Sequence, residues 1–132
     1  MPVTGTSLVG IHHVQLAAPP GAESLMREFY GGVLGLVEVA KPPVLAARGG
    51  VWFRAAGIEI HIGVEEDFRP ARKAHPGILV RGLEAMARRL RAAGHDVRVD
   101  DLLPGFRRFY IDDPVGNRLE LLEPIATPWG RV

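Results

Sequence analysis

Residues 11–17 (IHHVQLA) alternate apolar and polar side chains with the two-residue period of a strand. Val14 and Leu16 then share one face, and His13, Gln15 and Ala17 share the other. Pro19, Pro20 and Gly21 stop the run, and residues 22–33 follow with Leu25, Met26, Phe29 and Tyr30 at helical spacing. Gly31, Gly32 and Gly35 are the glycines expected to end that helix. Residues 36–39 read as a short strand, and 51–55 with 58–64 as a hairpin turning at Ala56-Gly57. The polar stretch 65–74 reads as a connector. Beyond it come a short strand at 77–80 and a helix over 83–93, with Leu83, Met86, Ala87 and Leu90 in one apolar stripe and Gly94 at its end. A strand at 97–99 follows, then a second hairpin, 107–111 with 118–122. The order β, α, β, β, β therefore occurs twice, as a degenerate internal repeat.

Each half buries one face of a small sheet beneath one helix, so the opposite faces must cover each other or a second chain. The expected fold class is α+β, with two βαβββ modules forming a curved mixed sheet around a cavity. The expected organisation is an N-terminal tail (1–10), one domain (11–124; module one 11–64, connector 65–74, module two 75–124) and a C-terminal tail (125–132).

Composition narrows the partners. A chain of 132 residues fits one domain, able to bury about two-thirds of its unfolded surface. Sixteen basic and fifteen acidic residues give a net charge of +1, without the basic footprint of a nucleic-acid or anionic-membrane binder. The absence of cysteine excludes disulfides and thiolate metal sites. No run approaches the roughly 18 apolar residues of a membrane span. The first ten residues lack the pattern of a leader, so a cytoplasmic location is expected.

The histidines carry the candidate chemistry. His13 and His75 lie 62 residues apart, one at the first strand of each half. His61 (IEIHIGV) and Glu120 (NRLELLE) occupy matching places in the last strand of each half. Their apolar neighbours, Ile60 and Ile62, then Leu119 and Leu121, would point under the helices. His13, His61 and Glu120 would face the other way. His75 precedes Pro76, which cannot donate a ladder hydrogen bond and so belongs at a strand start or edge. Imidazole with carboxylate suits a divalent ion such as Zn, Ni, Mn, Co or Fe(II). His12, with the wrong parity, and His95, in a post-helix turn, read as structural or surface residues. Glu120 has an ordinary alternative, pairing with Arg118 or Arg108. Tyr110 and Arg108 share a strand face opposite Phe109 and Ile111. Arg108 and Arg118 can anchor an anionic substrate or simply be solvated at strand ends. The face with Arg88, Arg89 and Arg91 reads as solvated surface.

The segments IHHVQLA and REFYGGVLGLVEV, with RRFYIDDPVGNRLELLEP near the end, resemble the vicinal oxygen chelate superfamily of glyoxalases, bleomycin-resistance proteins and dioxygenases. The resemblance spans residues 11–124 and implies metal ligands at His13, His75 and Glu120. In glyoxalase I-type members a further ligand stands on the fourth strand, usually a glutamate; His61 matches that place. The resemblance also implies that Tyr110 faces the cavity as a substrate-binding residue, a packed core tyrosine being the equal alternative; Gln15, on the His13 face, and Trp52 are weaker candidates from strand parity, Trp52 reading more as core packing than as a substrate wall. The resemblance implies a homodimer, and its acidic residue after the first strand is replaced here by Ala18-Pro19-Pro20-Gly21. The expected function is a metal-dependent enzyme of lyase/isomerase, dioxygenase or thiol-transferase type on a small oxygenated substrate, with Glu120 as ligand and catalytic proton shuttle. The alternative is a metal-free protein that binds a small molecule or antibiotic in the same cleft.

Overall fold

The computed structural model describes residues 4–125. It contains two four-stranded mixed sheets with the same topology, in the orders β1-β4-β3-β2 and β5-β8-β7-β6. The first holds β1 (Val14–Ala18), β2 (Val37–Val39), β3 (Val51–Ala55) and β4 (Ile58–Val64); the second holds β5 (Gly77–Leu79), β6 (Arg98–Asp100), β7 (Phe106–Asp112) and β8 (Arg118–Pro124). In each sheet the first strand runs parallel to the fourth, and the remaining pairs are antiparallel. The duplicated βαβββ order is therefore present. The strands form two sheets within one chain rather than one continuous sheet, and β1 and β5 stand at sheet edges.

The elements form where the pattern demands them, with three differences. The first strand begins at Val14, because pairing with β4 begins at Val14 opposite Ile60. Ile11, His12 and His13 precede it and are exposed. The first helix is α1 (Glu23–Met26), which opens into a wider π-helical turn over Arg27–Val33. The amide of Leu34 bonds five residues back to the Phe29 carbonyl at 2.9 Å, the spacing of such a turn. Gly31 and Gly32 lie inside this turn; Gly35, with φ +82°, ends the helical segment. A further single turn, α2 (Pro43–Ala46), follows Pro42, where Pro43 at the first helical position needs no donor. The second module's helix, α3 (Leu83–Ala92), ends at Gly94 with φ +89°, as its stripe predicts. The expected C-terminal tail lies outside the described residues beyond Ile125.

One core runs beneath both modules. Phe29, Tyr30, Phe53, Ile60 and Ile62 of the first pack in it with Leu83, Leu90, Phe109, Ile111, Leu119 and Leu121 of the second. A buried polar tie joins the modules. The Tyr30 hydroxyl donates to Asp113 Oδ2 at 2.7 Å, and Asn117 Nδ2 donates to the Ala17 carbonyl at 2.8 Å. Asn117 thus fastens the start of β8 to β1, the strands beside which the candidate ligands stand. Arg89 reaches the Gly32 carbonyl at 3.5 Å, while Arg88 and Arg91 are exposed.

Candidate active site

In the first module the site is built around His61. It sits mid-strand in β4, 4% exposed, opposite Trp52 on β3 and Gln15 on β1. The Trp52 ring lies flat on it at 3.9 Å, and the His13 ring covers it at 4.0 Å. Gln15 joins the same face, its amide lying over Gly63. A Cβ at Gly63 would meet Gln15 Nε2 at 2.7 Å, so the absent side chain makes the room. Trp52 is thus half-buried on the histidine face rather than in the core beneath the helix.

Glu59 belongs to this cluster. Its Oε2 pairs with His61 Nε2 at 2.7 Å, and its Oε1 accepts from Arg54 Nε at 2.8 Å. The bond to His61, then that to Arg54, pulls its carboxyl down to about 2. The signal for Glu59 lies in the alternation of IEIHIGV, where residues 59, 61 and 63 share a face. His13 has a second neighbour, since its Nδ1 faces His12 Nδ1 at 2.9 Å, so one of the two rings carries the shared proton.

In the second module His75 precedes β5 and Glu120 lies in β8. His75 Nδ1 contacts the Lys73 carbonyl at 2.8 Å. A carbonyl can only accept, so that nitrogen carries a proton, and the contact to the ionised Glu120 places another on Nε2. His75 Nε2 then faces Glu120 Oε1 at 2.9 Å. The other carboxylate oxygen accepts from Arg108 at 3.0 Å, and Arg108 also donates to Asp100 at 3.0 Å. Burial pushes the Glu120 carboxyl up, but the hydrogen bonds from His75 and Arg108 outweigh it and hold it below its ordinary value. The bond to Glu120 raises Arg108 in turn, so the pair stays ionised. Tyr110 stands opposite Glu120 in register, with His75 edge-on to its ring at 5.4 Å. Phe109 and Ile111 are buried on the other side.

The four candidate ligands therefore fall into two pairs, His13 with His61 and His75 with Glu120. Among the described residues no group of three His, Asp or Glu side chains meets at one point. A cleft of about 960 Å³ lies between the modules. His13, Val14 and the β3–β4 hairpin form one wall and residues 76–79 the other; His61, His75 and Glu120 do not line it. His95 packs edge-on against Phe29 at 4.9 Å, a structural role. No helix among the described residues is long and apolar enough to cross a membrane.

No protein-family model matches the chain, and none of the curated proteins does. Solved structures do. A glyoxalase family protein from Bacillus anthracis is 44% identical, with a TM-score of 0.88 over 91% of this chain and 98% of that one. The fosfomycin resistance protein FosX from Listeria monocytogenes, solved as a glutamate-to-glutamine mutant with Mn(II) and 1S,2S-dihydroxypropylphosphonic acid, is 17% identical. Its TM-score is 0.74 over 91% of this chain and 95% of that one. TnmS3, an antibiotic-binding protein from Streptomyces sp. CB03234, is 19% identical, with a TM-score of 0.69 over 90% of this chain and all (100%) of that one. The last two likenesses concern the fold.

Proposed function

This chain belongs to the vicinal oxygen chelate superfamily, and we propose that it is a metal-dependent enzyme acting on a small oxygenated substrate. The observation that carries this reading is the pairing of His75 Nε2 with Glu120 Oε1 at 2.9 Å. A ring nitrogen and a carboxylate oxygen this close could both reach one divalent ion at ligand distances of ~2.1 Å. His75 has its other nitrogen fixed by the Lys73 carbonyl, and Glu120 has its other oxygen fixed by Arg108. Ligands oriented from behind in this way are the common arrangement of metal sites. The pair fits a divalent ion, and nitrogen with oxygen donors suits Mn, Fe(II), Co, Ni or Zn. FosX, with the same fold, holds Mn(II) in its crystal structure.

The two pairs of donors suggest a homodimer in which His13 and His61 of one chain meet His75 and Glu120 of the other. Two features support that arrangement. Strands β1 and β5 leave sheet edges open, and Leu8, Val9 and Ile11, leading into His13, are almost wholly exposed in the single chain.

In such a site a bound ion would supply Lewis-acid polarisation of the substrate oxygens. The chain's own groups would do the rest. Arg108, donating to its other oxygen, would keep Glu120 ionised, so it would serve first as ligand and take a substrate proton only as Arg108 releases it. Trp52 and Tyr110 wall the site, and Gln15 offers an amide beside His61. Metal analysis of protein prepared without chelator tests the reading. About one ion per chain is expected, lost in Glu120→Ala; sub-stoichiometric metal in the parent, or unchanged metal in the variant, would refute it.

One observation favours a second reading. Trp52, His61 and His13 form a flat stack on which a planar antibiotic could lie without metal. Stabilisation by such a compound in chelator, with no turnover, would support it.

A further inference from the structure

Three arginines among the described residues are part-buried rather than exposed: Arg98, Arg108 and Arg118. Arg98 pairs with Asp112 at 2.9 Å, and Arg108 with Asp100 and Glu120 at 3.0 Å each. Arg118 has no such partner among the described residues. The carboxylate opposite it in register, Asp112, is turned to Arg98 instead. What Arg118 meets is a ring, its guanidinium carbon lying 5.6 Å from the centre of Tyr110. The ring steers the cation by its negative face without neutralising it. A guanidinium drawn partly out of water with its charge unmet is available to an incoming anion.

Its placement says which anion. Arg118 and Glu120 are two residues apart on β8 and face the same side, about 7 Å apart along the strand. The buried Leu119 and Leu121 face the other side. Tyr110, opposite Glu120, completes the patch. Arg108 cannot take this part, because Asp100 and Glu120 already hold its donors. We propose that Arg118 is the residue that selects a small acidic substrate, binding its carboxylate or phosphonate through the guanidinium fork. The charged group would lie a few bonds from the oxygens presented to His75 and Glu120. The proposal rests on the reading of that face as the substrate site.

The test uses metal-free, full-length protein titrated by calorimetry with glycolate, hydroxymethylphosphonate and neutral ethylene glycol. Saturable binding of at least one acid is expected, and none of the glycol at equal concentration. The acid bound more tightly identifies the anion. Arg118→Gln should weaken acid binding at least tenfold, Arg118→Lys should retain part of it, and Arg88→Gln, exposed on α3, should leave it unchanged. Equal affinity in folded Arg118→Gln, equal binding of the glycol, or no acid binding by the parent protein would overturn the proposal. Mn(II) uptake measured separately on the parent and on Arg118→Gln keeps the two readings apart. Uptake that fails in the parent refutes the metal reading and leaves the acid titration to be judged alone.

Discussion

Replacing Tyr30 by phenylalanine removes one hydroxyl from the buried tie between the modules. Tyr30 is fully buried, and Asp113, which receives its proton at 2.7 Å, is 4% exposed. The same carboxylate accepts from Asn117 Nδ2 at 2.9 Å and from the amides of Val115 and Asn117 at 3.0 and 2.9 Å. Three donors remain in Tyr30→Phe, so the carboxylate is not orphaned and the loss is that of one bond to a charged acceptor. That is worth about 2 kcal/mol, a fall in melting temperature of about 8 °C for a chain of this length. Asp113→Asn should cost more, about 3 kcal/mol, because an amide must turn its NH2 toward the donors of Asn117 or Tyr30. A double-mutant cycle between the two positions should give a coupling above about 1 kcal/mol. Burial, and after it the charge of Asp113, push the Tyr30 phenol well above its usual value. A raised acid pKa gives stability that is complete below the unfolded value of about 10, so the gap between parent and variant should stay open from neutral pH to that point. Thermal melts followed by circular dichroism measure all of this. A Tyr30→Phe melt within about 2 °C of the parent, a quarter of the shift expected from the lost bond, or an additive cycle, would refute the reasoning.

Three further substitutions probe the scaffold. Gly50 has φ +85°, and a Cβ there would meet the Ile62 carbonyl oxygen at 2.2 Å. Gly50→Ala should therefore cost on the order of 3 kcal/mol or more, seen as lost soluble yield or a collapsed melt; a parent-like melt would contradict it. Glu23 accepts from the Gly50 amide at 2.8 Å, and that bond holds its carboxyl below the usual value. Its contribution is complete above the unfolded pKa of about 4.3 and is lost as pH falls through the lower folded value. Glu23→Ala should then cost about 1 kcal/mol at neutral pH and much less in strong acid; a difference that persists unchanged at low pH would contradict this. Leu90 is 0% exposed on α3, and Leu90→Ala should cost about 2–5 kcal/mol in a denaturant melt.

Much of the fold is legible in local pattern. The hairpin of β3 and β4 follows from strict alternation plus Ala56-Gly57, where Gly57 takes φ +78°. Helix α3 follows from its stripe, and the repeat pairs His13 with His75 and His61 with Glu120. Other features depend on partners distant in sequence. Nothing near His13 says that pairing of β1 begins at Val14, because β4 decides it. The wide turn at Arg27–Val33 keeps Phe29 and Tyr30 in a core shared with the second module, and helical spacing alone does not reveal it. Asp113 reads as a turn residue in a DPxGN loop, yet its carboxylate is the centre of the inter-module tie. Glu59 is the instructive miss. Position 61 holds a histidine where glyoxalase I-type members usually carry glutamate, and the structure sets a carboxylate against that histidine from two residues earlier. The local alternation contained it, but only the 2.7 Å contact shows that it acts on His61.

In the proposed dimer a metal site is completed by donors from two copies of this chain. Subunit mixing tests it most directly. His13→Ala and Glu120→Ala proteins, each expected to bind little metal, are unfolded together, refolded and titrated with Mn(II). In a mixed dimer one site would lose both donors and the other would regain a full set. Recovery of about one ion per mixed dimer is expected, absent when either variant is refolded alone. No recovery from dimers shown to be mixed, with the parent protein binding metal normally, would contradict it.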